Sequence, residues 1–166
     1  KERTIMINGF SKNFAMTGWR LGYALGNQEV IEQMIKIHQY VIMCAPTVSQ
    51  YGAMEAMANG ETDAASMRES YNQRRRYLHH ELERLGLPCF QPEGAFYMFP
   101  DIREFGMSSE DFAMDLLNEE KVAVVPGSAF GESGEGFVRI SYAYSIAELK
   151  EALARIERYI QKKRSE

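Results

Sequence analysis

The feature that most constrains the fold is a long helical pattern between residues 62 and 85. Apolar side chains recur there at steps of three and four residues and form one stripe: Met67, Tyr71, Leu78, Leu82 and Leu85. Thr62 or Asp63 can cap the start of this helix, and Gly86 followed by Pro88 ends it. Because such a stripe has to be buried, the rest of the chain must supply a layer that covers it.

Short strands that alternate with helices follow from Cys89 onwards. The strand patterns are Ala95–Phe99, Val122–Val125 and Phe137–Ala143. One capped helix starts near Ser108, and Ser145 with Glu148 forms a capping box for a terminal helix. This order predicts a small α/β or α+β domain, in which helices cover a short mixed or antiparallel sheet.

The first sixty residues have a different pattern. Thr4–Asn8 reads as a buried strand, and Trp19–Gly26 reads as a second strand because large and small side chains alternate strictly. A helix is expected over Gln28–Tyr40, with a stripe that includes Ile31 and His38. Another helix should begin at Pro46 and end at Asn59.

These patterns predict three segments. They are a remnant of a larger sheet-containing domain at residues 1–27, connecting helices at 28–60 and a small domain at 61–166. The chain starts with Lys1 rather than Met, and a strand with no preceding partner follows almost at once. We therefore expect the chain to be part of a longer protein.

Charge and cysteine content limit the classes of function. The net charge of -4 argues against a general nucleic-acid binder, which needs a basic face. The two cysteines, Cys44 and Cys89, lack the spacing of a metal or redox motif, so no metal site is predicted. No apolar run is long enough to cross a membrane and no signal peptide opens the chain. A cytoplasmic protein without a membrane partner is expected.

Lys12 and Arg20 are the first candidates for chemistry. Lys12 follows the predicted buried strand among apolar neighbours, and a partly desolvated amine becomes nucleophilic. Arg20 lies on a strand face that is otherwise lined only by small residues, namely Gly22, Ala24 and Gly26. A guanidinium on a cleared face suits a bound dianion such as a phosphate, because its planar fork bonds two oxygens at once. A salt bridge at the rim of the core is the alternative for Arg20.

The segment Ser11–Tyr23, SKNFAMTGWRLGY, resembles the lysine motif of the class I aminotransferases. The resemblance implies that Lys12 binds pyridoxal 5'-phosphate covalently and acts as the catalytic residue. It also implies that Arg20 binds the cofactor's phosphate group, and Ser11 is a further candidate for that phosphate site.

Three later segments resemble the same family in the same order: Gly94–Tyr97, Val125–Gly131 and Phe137–Ala143. The resemblance assigns binding of the substrate's α-carboxylate to Arg139. A charged side chain in an apolar strand also needs a partner, because its unpaired burial costs several kcal/mol. A structural ion pair with a nearby acid is the alternative reading of Arg139.

The resemblance covers essentially the whole chain, but only the C-terminal two-fifths of a typical family member. It implies the C-terminal part of a fold type I, pyridoxal-phosphate-dependent aminotransferase, which exchanges amino groups between an L-amino acid and a 2-oxo acid. The family's remaining cofactor contacts lie upstream, so we expect this fragment to be inactive alone and the full-length protein to be a homodimer.

Two other functions remain open. One is a pyridoxal-phosphate-binding regulatory domain of the aminotransferase-like transcription regulators, and the other is a related β-lyase. The sequence does not indicate which amino acid is the substrate.

Overall fold

The computed structural model describes residues 2–166, which divide into two compact units. The first unit extends to Arg68 and the second runs from Glu69 to Glu166. The boundary between the two units falls inside the longest helix, and the division at residues 27 and 60 expected from the sequence stays a prediction.

The first unit begins with an antiparallel pair of strands. Strand β1 is Met6–Gly9 and strand β2 is Gly22–Leu25, with Met6 opposite Leu25 and Gly9 opposite Gly22. A Cβ atom on Gly22 would lie 3.0 Å from the carbonyl oxygen of Asn8. The glycine therefore allows the two backbones to pack closely.

Both strands differ from the prediction. The second strand begins three residues later than predicted, because Arg20 adopts a left-handed conformation with φ of 52° that no strand contains. The prediction that the first strand is buried is wrong, since Met6–Asn8 are exposed. An apolar strand is buried only if other elements cover its faces, and within the described residues β1 pairs only with β2.

A short helix, α1, spans Phe10–Asn13 and is followed by a 3-10 turn over Thr17–Trp19. Helix α2 is Gln28–Val41, capped by the Asn27 side chain, and helix α3 is Thr47–Asn59. No residue of α2 is buried. Both helices predicted for this part of the chain are present. His38, which the predicted apolar stripe placed on a buried face, is exposed.

The first unit has a small core of its own. Its buried apolar side chains are Phe10, Met16 and Ala53, with Phe14, Leu21 and Ala56 packed against them. The Ser49 hydroxyl donates a 2.6 Å hydrogen bond to the carbonyl oxygen of Trp19. This bond fixes α3 against the turn before β2.

Helix α4, Glu61–Arg84, is the long helix predicted from the apolar stripe. It starts at Glu61, directly after Gly60, so Thr62 and Asp63 lie inside it and the prediction that one of them is its cap is wrong. Its C-terminal end follows the prediction, because Gly86 adopts a left-handed φ of 75° and the Leu87 amide donates to the carbonyl of Leu82.

The second unit contains a three-stranded antiparallel sheet in the order β3-β5-β4. The strands are β3, Tyr97–Met98, β4, Val125–Pro126, and β5, Val138–Ser141. Helix α5 is Ser109–Glu120 and helix α6 is Ile146–Ser165. All three strands lie within predicted strands or overlap them, and all are shorter than predicted.

One apolar cluster holds this unit together. Helices α4, α5 and α6 each place buried side chains in it, among them Leu82, Phe112 and Ile160, while Met98 and Val138 come from the sheet. Fully burying one such side chain stabilises the fold by about 1.5–3 kcal/mol. The predicted α+β architecture, with helices covering a short antiparallel sheet, is therefore confirmed.

None of the described helices combines the length and the apolar character that crossing a membrane requires.

Candidate active site

A closed loop joins β1 to β2 and contains three of the predicted site residues. The Phe10 amide donates to the Leu21 carbonyl over 3.2 Å, which ties the two ends of the loop together. The Met16 amide donates back to the Phe10 carbonyl over 3.4 Å. Because Phe10 and Met16 are also buried, the loop is anchored at its base and in its middle.

Lys12 lies on α1 with its side chain exposed, so the prediction that it is partly desolvated is wrong for this chain. The adjacent Ser11 is half-buried. The rings of Phe10 and Phe14, on either side of Lys12 in sequence, lie 5.7 Å apart. The rings fix the turn of backbone from which the Lys12 amine projects.

Arg20 ends the same loop and is exposed. Its left-handed conformation, with that of Ala15 at φ of 53°, puts two strained non-glycine residues in one short loop. One guanidinium nitrogen donates a 3.0 Å hydrogen bond to the Thr17 carbonyl. This bond uses only one of five N–H donors, so the group keeps donors with which to bind an anion.

The donor set of this loop fits pyridoxal phosphate. An amine can attach to the cofactor's aldehyde, and a guanidinium can bind its phosphate. Gly18 lies between Lys12 and Arg20 in sequence. A Cβ atom built on it would have no heavy atom within 4 Å apart from its chain neighbours, so there is open space beside the loop at this residue. Ser11, Lys12 and Arg20 all lie in the segment that joins β1 to β2, and their role as a cofactor site stays a prediction.

Arg139 belongs to the second unit, in the middle of β5, and is half-buried. Its guanidinium carbon lies 4.2 Å from the centre of the Tyr97 ring and 4.7 Å from that of the Phe130 ring. Among residues 2–166 no carboxylate forms an ion pair with it, and no buried side-chain nitrogen lacks a hydrogen-bond partner. The structural ion pair considered as an alternative is thus absent from the described residues, and the guanidinium edge reaches solvent.

The segment after β4 carries Phe130 and is tightly constrained. It forms two 3-10 turns, Gly127–Phe130 and Glu132–Gly134, which pack against each other. A Cβ atom on Gly127 would overlap the carbonyl oxygen of Gly134, and one on Gly134 would overlap that of Gly127. Only glycine therefore fits at either position.

Glu135 ties this segment to the start of α5. Its carboxylate accepts a 2.7 Å hydrogen bond from the Ser109 amide and a 2.8 Å bond from the Ser109 hydroxyl. The Ser109 hydroxyl oxygen accepts in turn from the Ser128 amide over 3.2 Å. The bonds from Ser109 hold the pKa of Glu135 below its ordinary value.

Sequence reasoning missed Tyr97 and Phe130 as neighbours of Arg139. Both lie in segments that resemble the aminotransferase family, Gly94–Tyr97 and Val125–Gly131, but the resemblance assigns a role to neither. The signal that could have identified them is that both are aromatic and lie in segments that resemble the same family as the segment of Arg139.

Among the described residues, no group of three or more histidine, cysteine, aspartate or glutamate side chains is arranged to hold a metal ion.

Comparison with known proteins gives consistent matches. The family model for aminotransferase class I and II matches residues 1–156. YugH of Bacillus subtilis, itself only provisionally assigned as an aminotransferase, is 55% identical over 162 residues, which are 98% of this chain and 42% of that protein. The aspartate aminotransferase of Pyrococcus abyssi is 47% identical over 165 residues, with the same two coverages.

Solved structures match as closely. The crystal structure of an aromatic aminotransferase from Pyrococcus horikoshii OT3 superposes with a TM-score of 0.93 at 47% identity. The match covers 98% of this chain and 44% of that one. The chain thus spans well under half the length of the relatives that it matches.

Proposed function

The chain belongs to the class I and II aminotransferase family, and on that premise we propose that the full-length protein is a pyridoxal-phosphate-dependent aminotransferase. It would exchange amino groups between an L-amino acid and a 2-oxo acid. The observation that supports the proposal is the loop closed between Phe10 and Leu21, which carries both Lys12 and Arg20 as exposed residues.

The residues of this loop would hold the cofactor. Lys12 Nζ would attach to it covalently, and the Arg20 guanidinium would bind its phosphate, with the Ser11 hydroxyl as a further donor. When bound, pyridoxal phosphate supplies an electron sink for the bond that breaks at the substrate's α-carbon.

Lys12 also has the chemistry for proton transfer. After release by an incoming substrate amine, Lys12 Nζ would take the α-proton as a general base and return it as a general acid. Arg139 would bind the substrate's α-carboxylate through its solvent-facing edge. Fixing the carboxylate limits how the substrate can turn, so the α-proton stays aligned for transfer.

We also infer how the chain is divided in the full-length protein. Residues 1–27 would belong to the large cofactor-binding domain, 28–60 would connect, and 61–166 would form the small domain. The exposed apolar side chains of α2 and α3, such as Ile37 and Met57, support a covering partner. A homodimer that completes each active site is the partner we propose, and the free thiols of Cys44 and Cys89 favour a cytoplasmic location.

The proposal is tested by locating the cofactor. The full-length protein is incubated with pyridoxal phosphate, reduced with borohydride and digested, and the labelled peptide is found by mass spectrometry. We expect the label on Lys12 in wild type and its loss in Lys12→Ala. The exposed lysine of α2 gives a matched control, Lys36→Ala, which should keep the label.

Turnover then separates the candidate functions. With a panel of L-amino acids and 2-oxoglutarate, Lys12→Ala should lose at least roughly 10²–10⁴-fold in rate, the usual contribution of a general acid–base group. A label on Lys12 with no turnover would favour the transcription regulator, and release of ammonia would favour the β-lyase. Absence of a Lys12-dependent label would refute the cofactor site.

A further inference from the structure

Two aromatic rings contact the Arg139 guanidinium, and the proposed role of Arg139 does not explain them. Tyr97 comes from β3 and Phe130 from the turn that follows β4, so the two rings reach Arg139 from elements on opposite sides of β5. Ring-to-guanidinium distances of 4.2 and 4.7 Å are within the range of cation–π attraction. The guanidinium is therefore held by contacts that are not hydrogen bonds.

Each of the two rings is fixed by further contacts. Tyr97 is opposite Ser141 in the sheet, and its ring centre lies 4.4 Å from that of Phe96. The Phe130 and Phe99 rings meet in a T-shaped contact with their centres 5.4 Å apart, and the Gly127 turn that carries Phe130 packs tightly against Gly134. The rings are thus set in place before any ligand binds.

This arrangement limits how a ligand can approach. Two rings lie within cation–π range of the guanidinium carbon, and no described side chain hydrogen-bonds its N–H groups, so these N–H groups are the part of the side chain that a ligand can bind. They are parallel donors in a fixed fork, which matches the two oxygens of a carboxylate. Because aromatic contacts hold the cation, all its edge donors stay available for the ligand.

We propose that Tyr97 and Phe130 are positioning residues, which hold the Arg139 guanidinium in the orientation that binds the substrate's α-carboxylate. Phe130 is the half of the pair that can be altered with least damage to the fold, since it is 48% exposed and lies outside the sheet. This inference rests on the proposed function and adds residues to its substrate site.

The test compares substrates with and without a carboxylate in the full-length protein. Single-turnover reactions are followed with L-alanine against ethylamine and with L-phenylalanine against 2-phenylethylamine, and the faster pair is used. Phe130→Leu should raise the half-saturating concentration of the amino acid roughly tenfold, because the Arg139 guanidinium loses the contact that orients it before the substrate binds. The limiting rate should stay unchanged, because the contact is equal in ground and transition states.

Reaction with the matching amine should not change in Phe130→Leu, since the amine has no carboxylate to bind. Phe130→Trp restores a ring and should restore the wild-type half-saturation. Tyr97→Phe, which keeps its ring, should resemble wild type. Phe90 is 82% exposed and lies in the same unit, so Phe90→Leu is the matched control and should have no effect.

Two results would overturn the inference: an unaltered half-saturation in Phe130→Leu, or equal losses for amino acid and amine, which would indicate a general structural defect. Thermal melting of every variant identifies loss of folding.

A binding measurement separates this inference from the proposed function. Succinate is titrated into the full-length protein by calorimetry, so no chemistry is needed. We expect binding that is about tenfold weaker in Phe130→Leu and lost in Arg139→Leu. If wild type transaminates nothing but succinate follows this order, the proposed function fails and the positioning role stands. If wild type transaminates but succinate binding ignores Phe130, the positioning role fails alone.

Discussion

Among the described residues, the unit from Glu69 to Glu166 buries fifteen apolar side chains in one cluster, whereas the unit before it buries three. Both have helices with clear apolar stripes. The stripe of α4 and the side chains of α6 face a packed core, while α2 has no buried residue and leaves Ile37 66% exposed. A helical stripe therefore shows which face requires a cover, but not whether the same chain supplies it.

The largest expected difference between the units is in the cost of removing an apolar side chain. Leu82→Ala should lower the free energy of unfolding of the second unit by about 2–5 kcal/mol, because Leu82 is fully buried and its loss leaves a cavity. Urea unfolding followed by near-ultraviolet circular dichroism, to which the buried Tyr142 and Tyr159 contribute, measures this change.

Ile37→Ala is the matched change in the first unit. In the 166-residue chain it should alter stability by less than about 0.5 kcal/mol, as surface substitutions do. Trp19 is the only tryptophan, so its fluorescence reports on the first unit alone. A cost comparable to that of Leu82→Ala would show that α2 packs into a core within these 166 residues, whereas a cost that arises only in the full-length protein would show that a further segment or subunit covers Ile37.

Helix caps should give the next largest difference. The Ser145 side chain caps α6 within a capping box with Glu148, so Ser145→Ala should cost about 1 kcal/mol in the unfolding of the second unit. Ser145→Thr keeps the hydroxyl and is the control. Asn27→Ala removes the 2.9 Å bond to the Glu29 amide at the start of α2.

Because α2 is not part of a buried core, the loss of its cap should cause local fraying. Amide hydrogen exchange should then increase near Glu29 and leave the second unit unchanged. Equal effects of the two alanine variants on global unfolding would argue that the units share one cooperative core.

The smallest expected effect is a pH dependence of the second unit. The Ser109 amide and hydroxyl hold the pKa of Glu135 below its ordinary value of 4.5. A depressed folded-state pKa gives stability that is present above the unfolded-state value and is lost as the pH falls through the folded-state value. Wild type should therefore lose stability more steeply than Glu135→Gln below about pH 4.5.

Urea midpoints measured at a series of pH values from 7 to 3 test this difference, and the two curves should converge at the acid end. Parallel curves would show that Glu135 contributes no linked proton. Trp19 fluorescence of the first unit, which lacks this contact, is the internal reference.

Local signals predicted most of the fold. Ser145 and Glu148 form the expected capping box, Ser108 caps α5, and Gly86 ends α4 in the left-handed conformation. Each of these depends on residues that are near in sequence. The predicted start of α4 is wrong because capping side chains such as Thr62 and Asp63 also occur inside helices, and the first bond of α4 runs instead from the Ala64 amide to the carbonyl of Gly60.

Features that depend on distant residues could not be predicted. The alternation from Trp19 to Gly26 suggested a strand, but the hydrogen bond from Phe10 to Leu21 closes a loop in which Arg20 must turn back. Exposure of Lys12 depends on which residues cover α1, and no local pattern encodes that cover. The ring contacts of Arg139 join residues on two strands and a turn, so they follow from sheet order rather than from spacing.

The reciprocal fit of Gly127 and Gly134 has a consequence for how this protein can vary. A side chain at either position would collide with the backbone of the other. Replacing both glycines would therefore not remove the collision, and neither position can change first. Ser128, Ala129 and Ser133, between the two glycines, are exposed. The side chains at these three exposed positions can therefore vary on a fixed backbone, which Gly127 and Gly134 hold by their close contact and Gly131 by its φ of 107°.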